Sequence, residues 1–260
     1  MRPDLEILLS TTDRRDTDWL AALFEHGTEG AHILIVNQSD GGAQIPPDKL
    51  PAHVRVINQT GYGLSRSRNT ALENARGKYV LLADDDMLFL PGFAKRLIEA
   101  HRRLESPLLI FPMQKTGGGY FGPHRPDPYP LKDFARIYSG QMSFKSDAWK
   151  KAGLGFDERF GLGAAYPDAE NFIFLTQWHR KGLPVVYAGG DAVVEHPPLT
   201  SSHFLERPGN IKARLAMYKL LYGTRVYAYF WKLMFFLWRT GRIGFSDIGF
   251  YWRWIRDLKI

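Results

Sequence analysis

Short apolar runs alternate with amphipathic stretches over the first hundred residues of the chain. This alternation is typical of βαβ units arranged around a parallel sheet. The predicted strands cover residues 5–9, 31–36, 54–57, 78–83, 108–111, 141–144, 184–187 and 192–195. The predicted helices cover residues 17–26, 64–75, 91–104 and 168–181. The chain is therefore expected to form an α/β fold in which helices flank a mostly parallel central sheet.

Polar residues follow three of the predicted strands, at residues 10–14, 37–40 and 84–86. Parallel strands place their ligands outside their carboxyl ends, usually where the order of the strands reverses. Because all three polar stretches stand at such strand ends, we expect them to line one crevice.

Asp84, Asp85 and Asp86 stand between two apolar runs, residues 79–83 and 87–90. An ionised carboxylate in apolar surroundings is costly unless a counter-charge compensates it. Carboxylate oxygens suit Mg²⁺ or Mn²⁺, which often also contact substrate phosphates. A strand end that presents Asp84 and Asp86 is therefore a candidate metal site, and a solvated turn with incidental acids is the alternative.

Residues 115–132 interrupt the alternation, because they contain four glycines and four prolines. Such a density of Gly and Pro does not favour regular structure. Long irregular loops in compact domains are often functional lids, so this segment is predicted to be either a lid or a surface loop without that role.

Basic residues are concentrated at the end of the chain. Residues 204–260 carry eleven Lys or Arg against three acids, a net charge of +8, which leaves −1 for residues 1–203 in a chain of net charge +7. The same segment holds fifteen of the 36 aromatic residues. Its apolar stretch is too short to span a bilayer, because a membrane-spanning helix needs about 20 apolar residues. Either peripheral contact with an anionic membrane or a pair of helices packed on the rest of the chain explains this composition, and both can hold.

Several kinds of protein are disfavoured by what the sequence lacks. There is no cysteine, so disulfides and thiolate chemistry are excluded. Three common motifs are missing at the required places: the phosphate loop Gly-x-x-x-x-Gly-Lys-Ser/Thr, the dinucleotide motif Gly-x-Gly-x-x-Gly and the esterase motif Gly-x-Ser-x-Gly. Dinucleotide enzymes and esterases are therefore disfavoured. The first residues lack the pattern of a signal peptide, so a cytoplasmic location is expected, with the peripheral contact placed at the inner face of the cell membrane.

A series of short motifs occurs in a specific order between residues 5 and 202. Two polar strand ends, at residues 6–13 and 33–40, precede the series Gly63, Arg66-Ser67-Arg68-Asn69, Ala75-Arg76-Gly77 and Asp84-Asp85-Asp86. In this order and spacing the motifs resemble the inverting glycosyltransferases of family 2, a large bacterial family with the GT-A fold.

The resemblance implies how the chain is divided and where a donor would bind. Residues 1–203 would form a nucleotide-sugar-binding GT-A catalytic domain, and residues 204–260 a basic, aromatic-rich helical extension. Mn²⁺ or Mg²⁺ would be held by Asp86 and Asp84, with His196 at a later strand end. Contacts with the donor would come from Thr11, Asp13, Asn37, Arg68, Asp84 and Asp85.

An acidic motif at a helix start supplies the catalytic base in that family. The similar stretch here is Asp168-Ala169-Glu170-Asn171. Glu170 takes an acidic position of the motif, and Asn171 replaces the second acid. The resemblance therefore implies Glu170 as the base, with Asp168 as the alternate.

The implied activity is that of a metal-dependent inverting glycosyltransferase. It would move a sugar from a nucleotide diphosphate, with UDP as the expected carrier, to a hydroxyl group of a glycan or lipid-linked acceptor. No contact with nucleic acid is expected. Two alternatives stay open: a nucleotidyltransferase that makes nucleotide sugars, and a catalytically silent GT-A domain that only binds, which the departure at Asn171 allows.

Overall fold

The computed structural model describes residues 2–122, 129–197 and 207–260. In these residues the strands are β1 (Leu5–Thr12), β2 (His32–Ser39), β3 (Val54–Thr60), β4 (Tyr79–Asp84), β5 (Leu88–Phe89), β6 (Leu108–Ile110), β7 (Met113–Lys115), β8 (Met142–Lys145), β9 (Val185–Tyr187) and β10 (Val194–His196). The α-helices are α1 (Leu20–Leu23), α2 (Leu64–Glu73), α3 (Phe93–Arg103), α4 (Ser146–Ala152), α5 (Glu170–Arg180), α6 (Pro208–Tyr222), α7 (Val226–Arg239) and α8 (Phe245–Asp257).

Seven of these strands form one sheet in the order β3-β2-β1-β4-β8-β6-β9. The first four neighbours run parallel, because β1 pairs with β2 and β4, and β2 pairs with β3. Strand β8 runs antiparallel to β4 and β6, and β9 runs parallel to β6. The expected mostly parallel α/β sheet is confirmed, and its strand order reverses beside β1, where open sheets of this kind bind ligands.

Both faces of the sheet are covered by helices. Ile7 and Leu9 of β1 belong to a core that includes Leu97 of α3, whereas Leu8 belongs to a second core that includes Trp178 of α5. Successive residues of a strand point to opposite faces, so a strand covered on both sides is apolar nearly throughout. Charged side chains are therefore concentrated where the strands end.

A second, three-stranded sheet lies beside the first, in the order β5-β10-β7. Strand β10 pairs antiparallel with β5 and parallel with β7. Strand β5 follows the Asp84-Asp85-Asp86 triplet by one residue, and β10 ends at His196. This small sheet therefore brings His196 next to the triplet. The sequence did not predict β5 or β7, which have two and three residues.

Several predicted boundaries differ from the observed ones. The helix predicted at residues 17–26 is wrong in length, since α1 contains only four residues. The amides of Leu20, Ala21 and Ala22 within α1 bond to carbonyls three residues back, a tighter geometry that does not extend into long helices. Strands β1 and β2 continue three residues beyond their predicted ends, to Thr12 and Ser39, because their parallel pairing persists.

The predicted irregular segment at residues 115–132 is described only in part. Strand β7 ends at Lys115, and a 3₁₀ helix occupies Leu131–Arg136. Residues 123–128 of the predicted lid lie outside the described residues. The choice between a lid and a plain surface loop stays a prediction.

Residues 207–260 contain three α-helices, whereas the sequence predicted a pair at the end of the chain. Met217 and Leu221 of α6 share a buried cluster with Phe160 and with Ile173 of α5, so α6 packs on the rest of the molecule as expected. Helices α6, α7 and α8 bury a further cluster between themselves. The predicted boundary after residue 203 lies outside the described residues. Among those described, no helix combines the length and apolar character needed to cross a membrane.

Candidate functional site

A cavity of ≈ 590 Å³ opens where β1 and β4 end. This volume is typical of small-molecule sites, which are about 300–1,000 Å³. Of the ten site residues that the sequence suggested, eight line the cavity: Thr11, Arg68, Asp84, Asp85, Asp86, Asp168, Glu170 and His196. The structure thus brings together residues that are far apart in the sequence.

Arg68 is the buried cation of the site. It lies on the first half of α2, and only 3% of the residue is exposed. Its Nη1 donates to Glu170 Oε1 at 3.1 Å, and its Nη2 donates to Asp84 Oδ1 at 3.2 Å and to Ser139 Oγ at 2.7 Å. Its Nε has no partner among the described residues. A single guanidinium therefore compensates two carboxylates, which lets both lie at a largely apolar sheet end.

The three acids of the triplet have different partners. Asp84 accepts hydrogen bonds from Arg68 and, at 3.1 Å, from Ser139 Oγ. Asp85 forms an ion pair with Arg14 at 2.9 Å. Both of these carboxylates are paired with an arginine, whereas the side chain of Asp86 is the most exposed of the three and has no arginine partner among the described residues, so Asp86 is the most available for an external cation.

Asp86 and His196 form the third pair. Oδ1 of Asp86 lies 3.1 Å from His196 Nε2, and 55% of the Asp86 side chain is exposed. Burial lowers the pKa of His196, but hydrogen bonds to Asp86 and to the Pro197 carbonyl outweigh it, so that the pKa is raised overall. The hydrogen bond from His196 outweighs burial at Asp86 and lowers the pKa of that carboxyl group.

The donor set fits a divalent cation that is completed by its substrate. Among the described residues no group of three His, Asp or Glu suits a metal. Mg²⁺ is nevertheless usually bound by one or two carboxylates together with waters and substrate phosphates, and Mn²⁺ also accepts imidazole. Asp86 and His196 meet that requirement. Asp84 meets it less well, because Arg68 and Ser139 already occupy its oxygens.

Two further acids stand where α5 begins. Glu170 is the first residue of α5, is 8% exposed and faces Arg68. Burial raises the pKa of Glu170, and the positive charge of Arg68 only partly opposes this effect. Asp168 is more open, with 34% of its side chain exposed, and its nearest cation is Arg214 Nε at 3.9 Å. Ala169 between them adopts a left-handed conformation, with φ of 80°, which is uncommon outside glycine.

Two glycine-containing segments meet at the edge of the cavity. The Leu64 amide donates to the Leu162 carbonyl at 2.9 Å. A Cβ placed on Gly163 would lie 3.1 Å from the Gly63 backbone nitrogen, and both glycines have a positive φ. The close approach of these backbones therefore requires glycine, and it fixes α2 relative to the segment that leads into α5.

The family model described as Glycosyl transferase family 2 matches residues 20–160, which is more than half of the chain. The chain belongs to this family. The resemblance to this family that was inferred from the sequence is thereby confirmed.

Two proteins of Bacillus subtilis (strain 168) that are named as glycosyltransferases are similar over shorter segments. EpsH is 31% identical over 85 residues, which are 30% of this chain and 24% of EpsH. EpsJ is 38% identical over 71 residues, which are 26% of this chain and 21% of EpsJ. The matched segments thus span about a quarter of each of these relatives.

Solved structures of TarS from S. aureus share the fold. TarS 1–349 has a TM-score of 0.57 and 14% identity, with 87% of this chain and 74% of that chain covered. The same part of TarS in complex with UDP-GlcNAc has a TM-score of 0.57 and 15% identity, with coverage of 82% and 65%. At this level of identity the likeness shows the GT-A fold alone.

The three residues suggested at the first two strand ends lie in different surroundings. Thr11 lines the cavity and donates to a carboxylate of the triplet. Asp13 lies outside the described lining and accepts a hydrogen bond from Tyr62 at 2.8 Å. Asn37 also lies outside it, fully buried within β2, where its amide bonds to the backbone of Arg14. The predicted contacts of Asp13 and Asn37 with a nucleotide stay predictions.

Two residues that sequence reasoning did not assign lie in or beside the cavity. Tyr62 lines it and carries the hydroxyl group that bonds to Asp13. A signal for Tyr62 was present, since it stands between two glycines at a strand end. Arg214 on α6 reaches Asp168 from the C-terminal helices. No local pattern marks Arg214, because its role depends on how α6 packs.

Proposed function

We propose that the protein transfers a sugar from a UDP-sugar to a hydroxyl group of a glycan or lipid-linked acceptor, with inversion at the anomeric carbon and with Mn²⁺ or Mg²⁺ bound. The observation that carries the proposal is the convergence of Arg68, Glu170 and the acid triplet on one cavity at the strand ends. The TarS structures in complex with UDP-GlcNAc and with UDP add support for the type of donor.

The donor diphosphate would lie beside the Asp86–His196 pair at the wall of the cavity. Asp86 and His196 would hold the divalent cation. When bound, that cation supplies Lewis-acid stabilisation to the departing diphosphate. Arg68 lines the same cavity, where its buried charge also compensates Asp84 and Glu170.

The transfer itself would be a single displacement. The acceptor oxygen forms a bond to the anomeric carbon while the bond from that carbon to the diphosphate oxygen breaks. The acceptor hydroxyl group loses its proton to a carboxylate of the enzyme, and the nucleoside diphosphate leaves with the electron pair. A carboxylate within hydrogen-bond reach of the acceptor is therefore required.

We assign proton acceptance to Glu170. Its raised pKa makes its carboxylate a better base than an ordinary one, and it lines the cavity. Asp168 is the second candidate, because it lines the same cavity and is more exposed. Separate substitution of the two residues distinguishes them.

The primary test is a screen of nucleotide sugars by thermal shift, with and without Mn²⁺. A ligand that binds only the folded state raises the melting temperature, and the shift increases with the ratio of its concentration to its Kd. We expect a UDP-sugar together with Mn²⁺ to give the largest shift. Shifts of equal size for every nucleotide would contradict the proposed donor, and so would the absence of any shift.

Product analysis with the selected donor then distinguishes the remaining classes. A glycosyltransferase releases UDP when an acceptor is present, whereas a nucleotidyltransferase releases pyrophosphate from a nucleoside triphosphate and a sugar phosphate. A catalytically silent domain would bind the donor and release neither. The latter two outcomes would each overturn the proposed activity.

Substitutions of the site residues test their assigned roles, and substitution of a surface acid serves as the control. We expect Glu170→Gln to abolish turnover while donor binding remains, and Asp86→Asn to weaken the Mn²⁺-dependent part of donor binding. Asp147→Asn is the control, because 78% of the Asp147 side chain is exposed and it does not line the cavity. If Glu170→Gln keeps its activity and Asp168→Asn loses it, the base is Asp168.

A further inference from the structure

Helix α7 presents large aromatic side chains to solvent. Trp231, Phe235 and Trp238 are 55%, 57% and 48% exposed, respectively. They are spaced four and three residues apart, so they lie on one face of the helix. The opposite face packs against the neighbouring helices, where residues such as Phe230 and Leu237 are buried. Exposed apolar surface of this kind usually marks a contact with another molecule.

Basic residues are interleaved with these aromatic ones. Lys232 and Arg239 follow Trp231 and Trp238 directly and are also exposed. They are seven residues apart and therefore point in nearly the same direction. We call the set Trp231, Lys232, Phe235, Trp238 and Arg239 the aromatic-basic face.

No acidic residue balances this charge nearby in the sequence. Between residues 207 and 246 there are eight Lys or Arg and no Asp or Glu. The surface that fits this face must therefore be negatively charged and must also accept aromatic rings. The interface of a bilayer with anionic headgroups has both properties, since Trp resides at the boundary of headgroup and acyl chain and each nearby Lys or Arg is attracted to the headgroups.

A second copy of the chain fits this face less well. In a symmetric dimer the same patch meets itself. Lys232 and Arg239 would then face the same basic residues of the other copy, and like charges in a desolvated interface oppose association. Charge complementarity thus favours anionic lipid over self-association.

We propose that α7 binds an anionic lipid surface through the aromatic-basic face, lying along the membrane and not crossing it. Its 14 residues correspond to about 21 Å of helix, shorter than the hydrocarbon core of a bilayer, and among the described residues no helix could span one. Helix α6 packs on the rest of the molecule while α7 turns this face outward. This binding does not depend on the proposed donor or reaction.

Point substitutions test the proposal better than a deletion does. Removal of the C-terminal helices would uncover Phe160 and Ile173, which pack against α6, and would destabilise the whole protein. The aromatic variant is Trp231→Ser, Phe235→Ser and Trp238→Ser. The charge variant is Lys232→Glu and Arg239→Glu. Its matched control is Lys95→Glu and Arg102→Glu on α3, two exposed basic residues with the same seven-residue spacing and the same change in net charge.

Binding is measured by sedimentation with vesicles of phosphatidylcholine, with or without phosphatidylglycerol, in the absence of any nucleotide sugar. We expect the wild type to bind the vesicles that contain phosphatidylglycerol and to bind pure phosphatidylcholine far more weakly. The charge variant should bind about tenfold more weakly or worse, since each basic residue contributes several-fold. The aromatic variant should also lose binding, and the α3 control should keep it.

Three results would overturn the proposal. The first is a wild type that does not bind vesicles containing phosphatidylglycerol. The second is an α7 charge variant that binds like the α3 control, or a folded aromatic variant that binds like the wild type. The third is a wild type that self-associates without lipid and becomes monomeric in the aromatic variant, which would show that a second copy covers the face. If the aromatic variant does not fold, the charge variant decides the question, because both of its altered side chains are exposed.

Discussion

The guanidinium of Arg68 lies 3.1 Å from the buried carboxylate of Glu170, although 102 residues separate the two in the sequence. The same guanidinium also holds Asp84, at the end of β4. One cation therefore links helix α2, strand β4 and the start of α5 through ion pairs. Since a buried carboxylate without a counter-charge is costly, loss of this cation would destabilise the fold, and its position fixes the geometry of the cavity.

We predict that Arg68→Met destabilises the protein strongly. Loss of one partner of a buried ion pair typically costs about 3–5 kcal/mol, because the remaining charge is left uncompensated. Urea unfolding followed by circular dichroism measures the change. Arg66→Met on the same helix is the control, since its guanidinium bonds to the Thr60 carbonyl at the exposed surface, and a surface substitution usually changes stability by about 0.5 kcal/mol or less.

The double substitution Arg68→Met and Glu170→Gln shows whether the ion pair causes that effect. Removal of the Glu170 charge should restore part of the stability lost in Arg68→Met, because one uncompensated carboxylate disappears. The two effects are then non-additive, as expected for residues in contact. Strictly additive losses would mean that the pairing with Glu170 does not cause the effect and that Arg68 stabilises the fold through Asp84 or through packing.

The activity should fall in acid through a pKa above the usual glutamate value of 4.5. Burial raises the pKa of Glu170, and the base must be unprotonated to accept the proton of the acceptor. As the pH decreases through the raised pKa, the fraction of active enzyme therefore decreases. The dependence of kcat/KM on pH measures this limb. Asp168→Asn should keep the same acidic limb, and loss of the limb in that variant would move the role of base to Asp168.

The strand-end acids could be predicted from the sequence, but their separate partners could not. An apolar run followed by Asp84, Asp85 and Asp86 predicts a strand and then a polar end, which is a local property. The partners Arg14, Arg68 and His196 come from other elements. Which acid faces which partner depends on how the chain turns after β4 and on the small sheet that contains β10.

Asn37 shows that a strand can continue beyond its apolar run. The apolar run of β2 stops at Val36, so the sequence placed Asn37 in the crevice. Pairing with β1 and β3 continues to Ser39. Asn37 consequently lies inside the strand, fully buried, and its amide bonds to neighbouring backbone. Hydrogen bonding with neighbouring strands, which is not encoded in the local hydrophobic pattern, decides where a strand ends.

We predict that Gly161→Ala destabilises the protein and disturbs the cavity. Gly161 has φ of +103°, and a Cβ there would lie 3.0 Å from Ser65 Oγ and 3.5 Å from Glu170 Cγ. Strain of this kind costs about 1–3 kcal/mol. Gly182→Ala is the matched control, because Gly182 has φ of +73° but has no atom within 4 Å of the added Cβ. Thermal unfolding should show a larger loss for Gly161→Ala, and equal losses would mean that backbone conformation alone is responsible.

The stability of the protein should decrease in mild acid because His101 is buried in its neutral form. The ring stacks on Tyr79 with 4.5 Å between centroids, and Nε2 lies 2.8 Å from Ser143 Oγ. The Ser143 hydroxyl group donates to the Val80 carbonyl, so it accepts the Nε2 proton. Protonation would then place a second proton on Nδ1, which has no partner among the described residues. Burial, assisted by the charge of Lys145, lowers the pKa of His101 from 6.5 to about 3.

The sign of the effect follows from proton binding. Between pH 6.5 and about 3 the unfolded chain binds a proton at His101 that the folded chain does not. The free energy of unfolding is therefore unaffected by His101 above pH 6.5 and decreases as the pH falls below this value. The loss amounts to roughly 5 kcal/mol at most. Urea unfolding at a series of pH values should therefore show a flatter slope in this range for His101→Gln than for the wild type. His26→Gln, at an exposed position, should keep the slope of the wild type. The same slope in all three proteins would mean that the carboxylates alone account for the acid sensitivity.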